Sequence, residues 1–310
     1  MYTLLRSCVE NNERKIEKLQ VLHKAEDLNL LRELYRADWP SQALGYYTLD
    51  NFIRWQEHVK QPQKVWIYTL DDEGFRKNGL YLIVDCFQLF VNILPVKNAH
   101  LLLRKALKML NWSEGYKITA IPDIYHETVS AVLLELKLAW ESIRLNIYHL
   151  PRDQALTADV NCPPGFQMRP LHNADAALIN DLWHANNAGT LEIITRLIAY
   201  NNNVGVYVEK TGELVAWCIR CQSGFLGMLH VKHTFRRFGL ASLLCLALTR
   251  EVALRNEDVR AMIHEYNEPS KRLCKKLGFQ QVGVTYIIHA YYRANGAAWL
   301  VNSSAYKSKL

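Results

Sequence analysis

Apolar and polar positions alternate over short runs in the first half of the chain, so that 64–70 (KVWIYTL), 79–87 (GLYLIVDCF) and 88–94 (QLFVNIL) read as three strands. Helical spacing follows from about His100 to Trp112. Strand, helix and strand come next in KITAIP, ETVSAVLLEL and LNIYHLP. The second half opens with a strand, FQMRPL, and two helical stretches around Ala176 and Thr195. NVGVYVEK, ELVAWCIR and FLGMLHV are then three strands before a helix from about Gly239 to Asn256, and VRAMIHEY, PSKRLCKKL and VGVTYIIHAYY close the half as strand, helix, strand. Three strands, helix, strand, helix, strand thus occurs twice. This is the outline of an α/β unit with a mixed sheet, duplicated in pattern although the residues barely match. Before the first unit, DLNLLRELYRADWP reads as a helix ended by Pro40.

Between the halves lies PRDQALTADVNCPPG, rich in proline and poor in apolar periodicity. The expected organisation is an N-terminal domain over 1–150, a linker over 151–165, a second domain over 166–296 and a tail over 297–310.

Composition narrows the function. Half of the 310 residues are hydrophobic, which is ordinary for globular domains. Lys and Arg exceed Asp and Glu by 37 to 30, and the surplus is scattered, which favours a small anionic ligand over nucleic acid. No basic, aromatic strand motif of an RNA-binding module occurs. Seven cysteines, an odd number placed largely in apolar segments (Cys86, Cys218, Cys245), read as reduced core residues. MYTLLRSCVENNERK has no apolar signal region, and no apolar run is long enough to span a bilayer, so no membrane insertion is expected. Cys218 and Cys221 form a C-x-x-C inside a predicted strand, which would turn them to opposite faces, and no second pair completes a zinc site. His126-Glu127 lacks the second histidine of a zincin, and neither dinucleotide nor P-loop glycine motifs occur, so no metal, hydride-transfer or P-loop chemistry is expected.

The segment richest in chemistry is LGMLHVKHTFRRFGLASLLCLALTREVAL, where an apolar strand runs through Arg236-Arg237-Phe238-Gly239-Leu240-Ala241 directly into a long helix. That is an anion cradle in outline. The helix start offers unpaired N–H groups and the positive end of the dipole. Gly239 permits a tight turn and close backbone approach, Ala241 keeps the next turn small, and Arg236 and Arg237 add forked donors suited to phosphate oxygens. Further on, Asn267 and Pro269-Ser270 open a helix that ends at Lys276-Leu277-Gly278-Phe279.

On these residues the stretch from Phe166 to Tyr292 resembles the GNAT superfamily of acyl-CoA N-acyltransferases, and within it the glycine N-acyltransferase-like branch. The resemblance implies two tandem GNAT-like mixed-sheet domains, the N-terminal one degenerate. It assigns the CoA pyrophosphate to residues 236–241, that is Arg236, Arg237, Phe238, Gly239, Leu240 and Ala241. It also implies that Met228, Leu229, His230 and Val231 splay from the next strand and bind the pantetheine arm through their backbone, with Asn267 and Ser270 as further cofactor contacts. The implied co-substrate is acetyl-CoA or a longer acyl-CoA, and the acceptor is a small-molecule amine such as glycine or another amino acid. The matching N-terminal turn, LPVKNAH, has no glycine and one base, so a single acyl-CoA site is expected.

Two positions depart from the family. Phe225 stands where many members carry a glutamate base, and Cys274 where a tyrosine acid is common. His230 and Glu265 are the local candidates for the base, and Cys274 occupies the acid's position. The alternative is a catalytically inert acyl-CoA-binding or scaffold protein. Trp183, in the opening helices of the second half, is the first candidate for the acceptor pocket. Ser308-Lys309-Leu310 matches the tripeptide read by the peroxisomal import receptor, which predicts a place in the peroxisomal matrix, with the cytoplasm as the alternative.

Overall fold

The expected order of elements is present twice. The first unit runs β1 (Gln20–Val21), α1 (Ala25–Leu34), α2 (Ala43–His58), β2 (Val65–Thr69), α3 (Phe75–Asn78), β3 (Tyr81–Asp85), β4 (Gln88–Asn92), α4 (Ala99–Lys108), β5 (Tyr116–Pro122), α5 (His126–Glu135) and β6 (Ala139–Leu150). After a short helix α6 (Arg152–Leu156) in the linker, the second unit runs β7 (Phe166–Arg169), α7 (Ala176–Leu182), α8 (Thr190–Tyr200), β8 (Asn203–Val208) and β9 (Leu214–Arg220). It ends with β10 (Phe225–Val231), α9 (Leu240–Leu254), β11 (Val259–His264), α10 (Glu268–Lys276) and β12 (Gln280–Tyr291). This computed structural model describes residues 18–58, 65–70, 74–157 and 159–293. The N-terminal MYTLLRSCVENNERK and the Ser308-Lys309-Leu310 sequence lie outside them. Among the described residues no helix is long and apolar enough to cross a membrane.

All strands join one twelve-stranded sheet in the order β1-β2-β3-β4-β5-β12-β6-β11-β10-β9-β8-β7. Its centre holds an exchange. The last strand of the first unit, β6, pairs antiparallel with β11 from Val259↔Leu150 to His264↔Leu145. The last strand of the second, β12, pairs antiparallel with β5 from Thr285↔Pro122 to Ala290↔Tyr116. β6 and β12 then pair with each other along their lengths, from Gln280↔His149 to Tyr291↔Ala139. Each unit's open edge is covered by the other's final strand, which leaves no exposed ladder at the join. The proline-rich segment after Leu150 therefore divides the chain in sequence, while in space the two units interlock.

Strand alternation sorts the side chains onto two faces. In β3 and β4, Ile83 and Phe90 belong to one cluster, whereas Leu82, Leu89 and Val91 pack with Leu103 and Leu107 of α4 and Val129 and Val132 of α5. In β9, Trp217 and Ile219 join the first cluster, while Val215, Ala216 and Cys218 face Leu244 and Leu248 of α9. The first cluster also takes in α1, α2, α7 and α8, so the opening helices of both units share one core. Polar contacts fix the join. Trp55 Nε1 donates to Asn201 Oδ1 at 2.7 Å, Asn201 Nδ2 donates to the Arg220 carbonyl at 2.9 Å, and Arg196 ion-pairs with the fully buried Asp85 at 2.7 Å.

Candidate active site

The site begins where the sheet opens. β10 and β11 pair in parallel only at Phe225↔Arg260 and Leu226↔Ala261. Beyond Leu226 a register shift between Gly227 and His230 bends β10, with Met228 at a φ of 50°. A bulge with a residue in the left-handed region re-aims a strand, and here it carries Met228, Leu229, His230 and Val231 away from β11 while β9 still pairs with them at His230↔Trp217 and Val231↔Ala216. This is the splay the sequence resemblance predicts.

At the end of β10 the chain turns through His233–Phe235 into an exposed loop of Arg236, Arg237, Phe238 and Gly239. Arg237 and Gly239 both have positive φ, 71° and 79°, and Gly239 is the N-cap of α9 with no side-chain cap bond. The first-turn N–H groups of α9 at Leu240, Ala241 and Ser242 are thus presented at the loop, with no acidic residue in that turn. A Cβ built on Gly239 would meet no protein atom within 4 Å. The protein leaves that space open, so valine there would act through backbone strain in the free protein and through steric conflict only with a ligand. Non-glycine strain at Arg237 fits a loop shaped for a ligand. Arg236 is exposed, with Nε 3.4 Å from the Val231 carbonyl.

Asn267 is the N-cap of α10, its Oδ1 accepting from Ser270 N at 3.2 Å. Both residues also line a cavity of about 330 Å³ that passes through the splay. On the α10 side Cys245, Cys274, Leu277 and Phe279 line it; on the other face Trp183, His184, Leu197, Trp217 and His230 do. Trp183 and His230 therefore line one cavity.

His230 is half-buried and stacks on Trp217 at 4.5 Å between centroids. Desolvation lowers its pKa, and the positive charge of Arg236, with His184 and Lys232, lowers it further, so the imidazole is neutral near pH 7. Glu265 lies elsewhere. It follows the end of β11, does not line the cavity, and pairs with Arg144 of β6 at 3.5 Å. A role as base would have it act from outside the cavity, beside Arg144 of the exchanged strand. Cys274 does face the cavity, but burial pushes its thiol up to about 12. A thiol that weakly acidic is a poor proton donor to a thiolate of ordinary pKa, about 8.5, and Cys274 also packs in the core cluster beneath α9. Phe225 is fully buried beneath the Arg260 guanidinium at 5.7 Å.

The C-x-x-C also differs from expectation. β9 ends at Arg220, so Cys221 starts the turn and alternation does not carry through to it. Cys218 and Cys221 consequently line the same cavity. A hydrogen bond with Cys245, together with burial, raises Cys218, and burial pushes Cys221 up to about 11.

The wall also includes residues with no local sign in the sequence: Gln88 of β4, Lys117 and Thr119 of β5, and His289 of β12. A lysine alternating within KITAIP reads as a solvent-facing position. Only the merged sheet, with the second unit's opening helices laid over it, encloses it.

The residues over 203–288 match the family described as FR47-like protein. A Drosophila protein of known X-ray structure is 25% identical, with a TM-score of 0.81 over 90% of this chain and 100% of its own. A tandem GNAT protein from the clavulanic acid biosynthesis pathway superposes with a TM-score of 0.55 at 15% identity, covering 88% of this chain and 97% of its own. The fold is that of the GNAT superfamily. A candidate acetyltransferase from Pyrococcus horikoshii is also similar in fold, with a TM-score of 0.55 at 10% identity over 93% of this chain and 94% of its own. No curated protein matches the chain. In GNAT terms the FR47-like match starts at β8, includes the splay and the Arg236–Ala241 loop, and ends within β12, the strand lent to the first unit.

Proposed function

We propose that the chain transfers an acyl group from a CoA thioester to the amine of a small acceptor, with one acyl-CoA site per chain. The observation that carries this reading is the cavity through the splay, which Met228 to His230, Asn267 and Ser270 all line. In this reading the pyrophosphate sits on the α9 N-terminus between Arg236 and Gly239, and the pantetheine arm lies along Met228 to Val231. The metal-free chemistry is simple. The acceptor nitrogen attacks the thioester carbonyl carbon, the C–S bond breaks as the C–N bond forms, and CoA leaves as thiolate. Neutral His230 takes the proton from the amine nitrogen, and its imidazolium returns a proton through solvent to the thiolate. Glycine or another amino acid is the acceptor, and acetyl or a longer chain the acyl group.

Release of thiol from acetyl-, octanoyl- and benzoyl-CoA in the presence of an amino-acid panel tests this directly. Turnover with at least one pair is expected. CoA binding without thiol release from any pair would instead favour an inert acyl-CoA-binding protein, the reading that Phe225 and the weakly acidic Cys274 favour.

The same proposal places the protein in the peroxisomal matrix through Ser308-Lys309-Leu310. A reporter fused ahead of residue 1 should be punctate with peroxisomal markers and become diffuse on deletion of those three residues. A punctate pattern that survives the deletion would refute the address.

A further inference from the structure

The cavity wall is apolar over most of its extent, yet it contains a lysine. Lys117 is held on β5, its backbone N–H donating to the Phe87 carbonyl at 2.8 Å, and the half-buried residue lines the cavity. Desolvation lowers its pKa. Among the described residues no carboxylate ion-pairs with it. Two groups favour the ammonium: the ring of Trp183, whose centroid is 5.5 Å from Nζ, and Cys221, whose own thiol burial pushes up to about 11. A cation enclosed without an anion is costly to fold around, and a sequence that keeps one at a ligand cavity has a reason in the ligand.

The neighbours indicate which ligand. Gln222 Nε2 donates to Gln88 Oε1 at 2.7 Å, which leaves Gln88 Nε2 as a neutral donor beside the lysine. Thr119 adds a hydroxyl two residues along the same strand. His289, opposite Lys117 in the β5–β12 register, is pushed down to about 4 by burial and by the lysine, and is therefore a neutral imidazole. One positive charge with neutral donors around it, in an apolar enclosure of about 330 Å³, matches a group carrying one negative charge and two acceptor oxygens. A phosphate dianion would bring more charge than the site balances.

We propose that Lys117 anchors a substrate carboxylate on the Trp183 side of the cavity, so that the first unit, through β4 and β5, supplies part of the acyl-transfer site. The carboxylate belongs either to the acceptor, as in an amino acid, or to the far end of a dicarboxylic acyl chain. The proposal rests on the acyl-transfer reading for the reaction served, and its test is made by binding so that the two stand or fall separately.

Calorimetry on the full chain would compare two matched pairs: N-octanoylglycine with N-octanoylglycinamide, and succinyl-CoA with butyryl-CoA. At least one pair should show a tenfold or greater preference for the carboxylate, kept in Lys117→Arg and lost in Lys117→Met, with CoA affinity unchanged in both variants. A preference in the first pair assigns the carboxylate to the acceptor, and in the second to the acyl chain. Lack of preference in both pairs for the folded parent, or a preference that survives Lys117→Met, overturns the anchor. Should Lys117→Met not fold, Lys117→Gln takes its place. Carboxylate preference without thiol release would leave the anchor standing and remove the acyltransferase reading; thiol release without preference would do the reverse.

Discussion

His230 lies flat on Trp217, 4.5 Å between ring centroids and 17° between planes, at the His230↔Trp217 position of the β9–β10 register. The indole fixes the imidazole's plane at the cavity wall, and burial with Arg236, His184 and Lys232 keeps it neutral. Its pKa lies below the usual 6.5, so the base is protonated only as pH falls beneath that value. Expressed per uncharged amine, the expected kcat/KM therefore has an acid limb whose midpoint is below 6.5 and is flat from there to about pH 7.5. His230→Gln should lower kcat about 10²-fold or more and abolish the limb, with CoA affinity retained. An acid limb that persists unchanged in His230→Gln would assign the base elsewhere.

The cradle acts through charge and backbone approach, which can be removed separately. Arg236→Ala should keep the fold, because the side chain is exposed, and weaken CoA about tenfold, the worth of one charge-assisted contact. Added salt should shrink that difference. Gly239→Val meets no protein atom but forces valine to a φ of 79°, so it should lower the melting temperature as well as CoA affinity. Parent-like CoA binding by folded Arg236→Ala would exclude this loop as the phosphate site.

How much of this was legible in the chain follows from what each feature depends on. Strands and helices set by alternation and helical spacing, such as Phe225–Val231 and Leu240–Leu254, fall within a residue or two of expectation because their signal is local. The loop from Arg236 to Ala241 was readable for the same reason. α2 was not resolved as a separate helix, since Pro40 marked only where the preceding pattern stops. The strand exchange left no trace: β6 and β12 present the same apolar alternation whichever neighbour they take. Everything that depends on it was hidden as well, including the pairing of Glu265 with Arg144 and the arrival of Lys117 and His289 at the site. The apolar run through Cys221 reads as strand, yet β9 stops at Arg220, and one residue of strand length is enough to reverse a face.

Removing the enclosed charge of Lys117 should show in stability. Its folded pKa is below that of the unfolded chain, so the unfolded state binds more protons between the two values and stability rises with pH across that window up to about 10.5. At neutral pH Lys117→Met should therefore melt higher than the parent, with the gap narrowing as pH approaches 10.5. A lower melting temperature at pH 7 would mean that the ammonium has a stabilising partner.

Arg220 and Glu257 form a forked ion pair at the end of β9, with Nη1 3.2 Å from Oε1 and only 2% of the arginine side chain exposed. Tyr47 of α2 packs on the guanidinium at 5.5 Å, which ties the pair to the other unit. Glu257→Gln leaves the guanidinium buried without its counter-charge and should cost about 3–5 kcal/mol, read as a shift in urea midpoint. A loss under about 1 kcal/mol would show that the pair behaves as a surface one.

The exchange of β6 and β12 makes a prediction about cooperativity. These strands pair with each other and each also completes the other unit, so neither unit can open at its last strand without releasing the other. Central backbone hydrogen bonds that break only on global unfolding exchange at the global rate. Amides of Leu145 to Tyr148 and of Thr285 to Ile288 should accordingly be the slowest in the chain and share one protection factor, while those of β7 and β1 at the sheet's two edges exchange sooner. Separately expressed fragments 1–157 and 158–310 should each expose an unsatisfied strand edge and associate or aggregate, and co-expression should return a one-to-one complex that binds CoA like the intact chain. A monomeric 158–310 fragment that unfolds cooperatively and binds CoA on its own would show that β12 can close on β11 within its unit, and that the exchange is not what holds the site together.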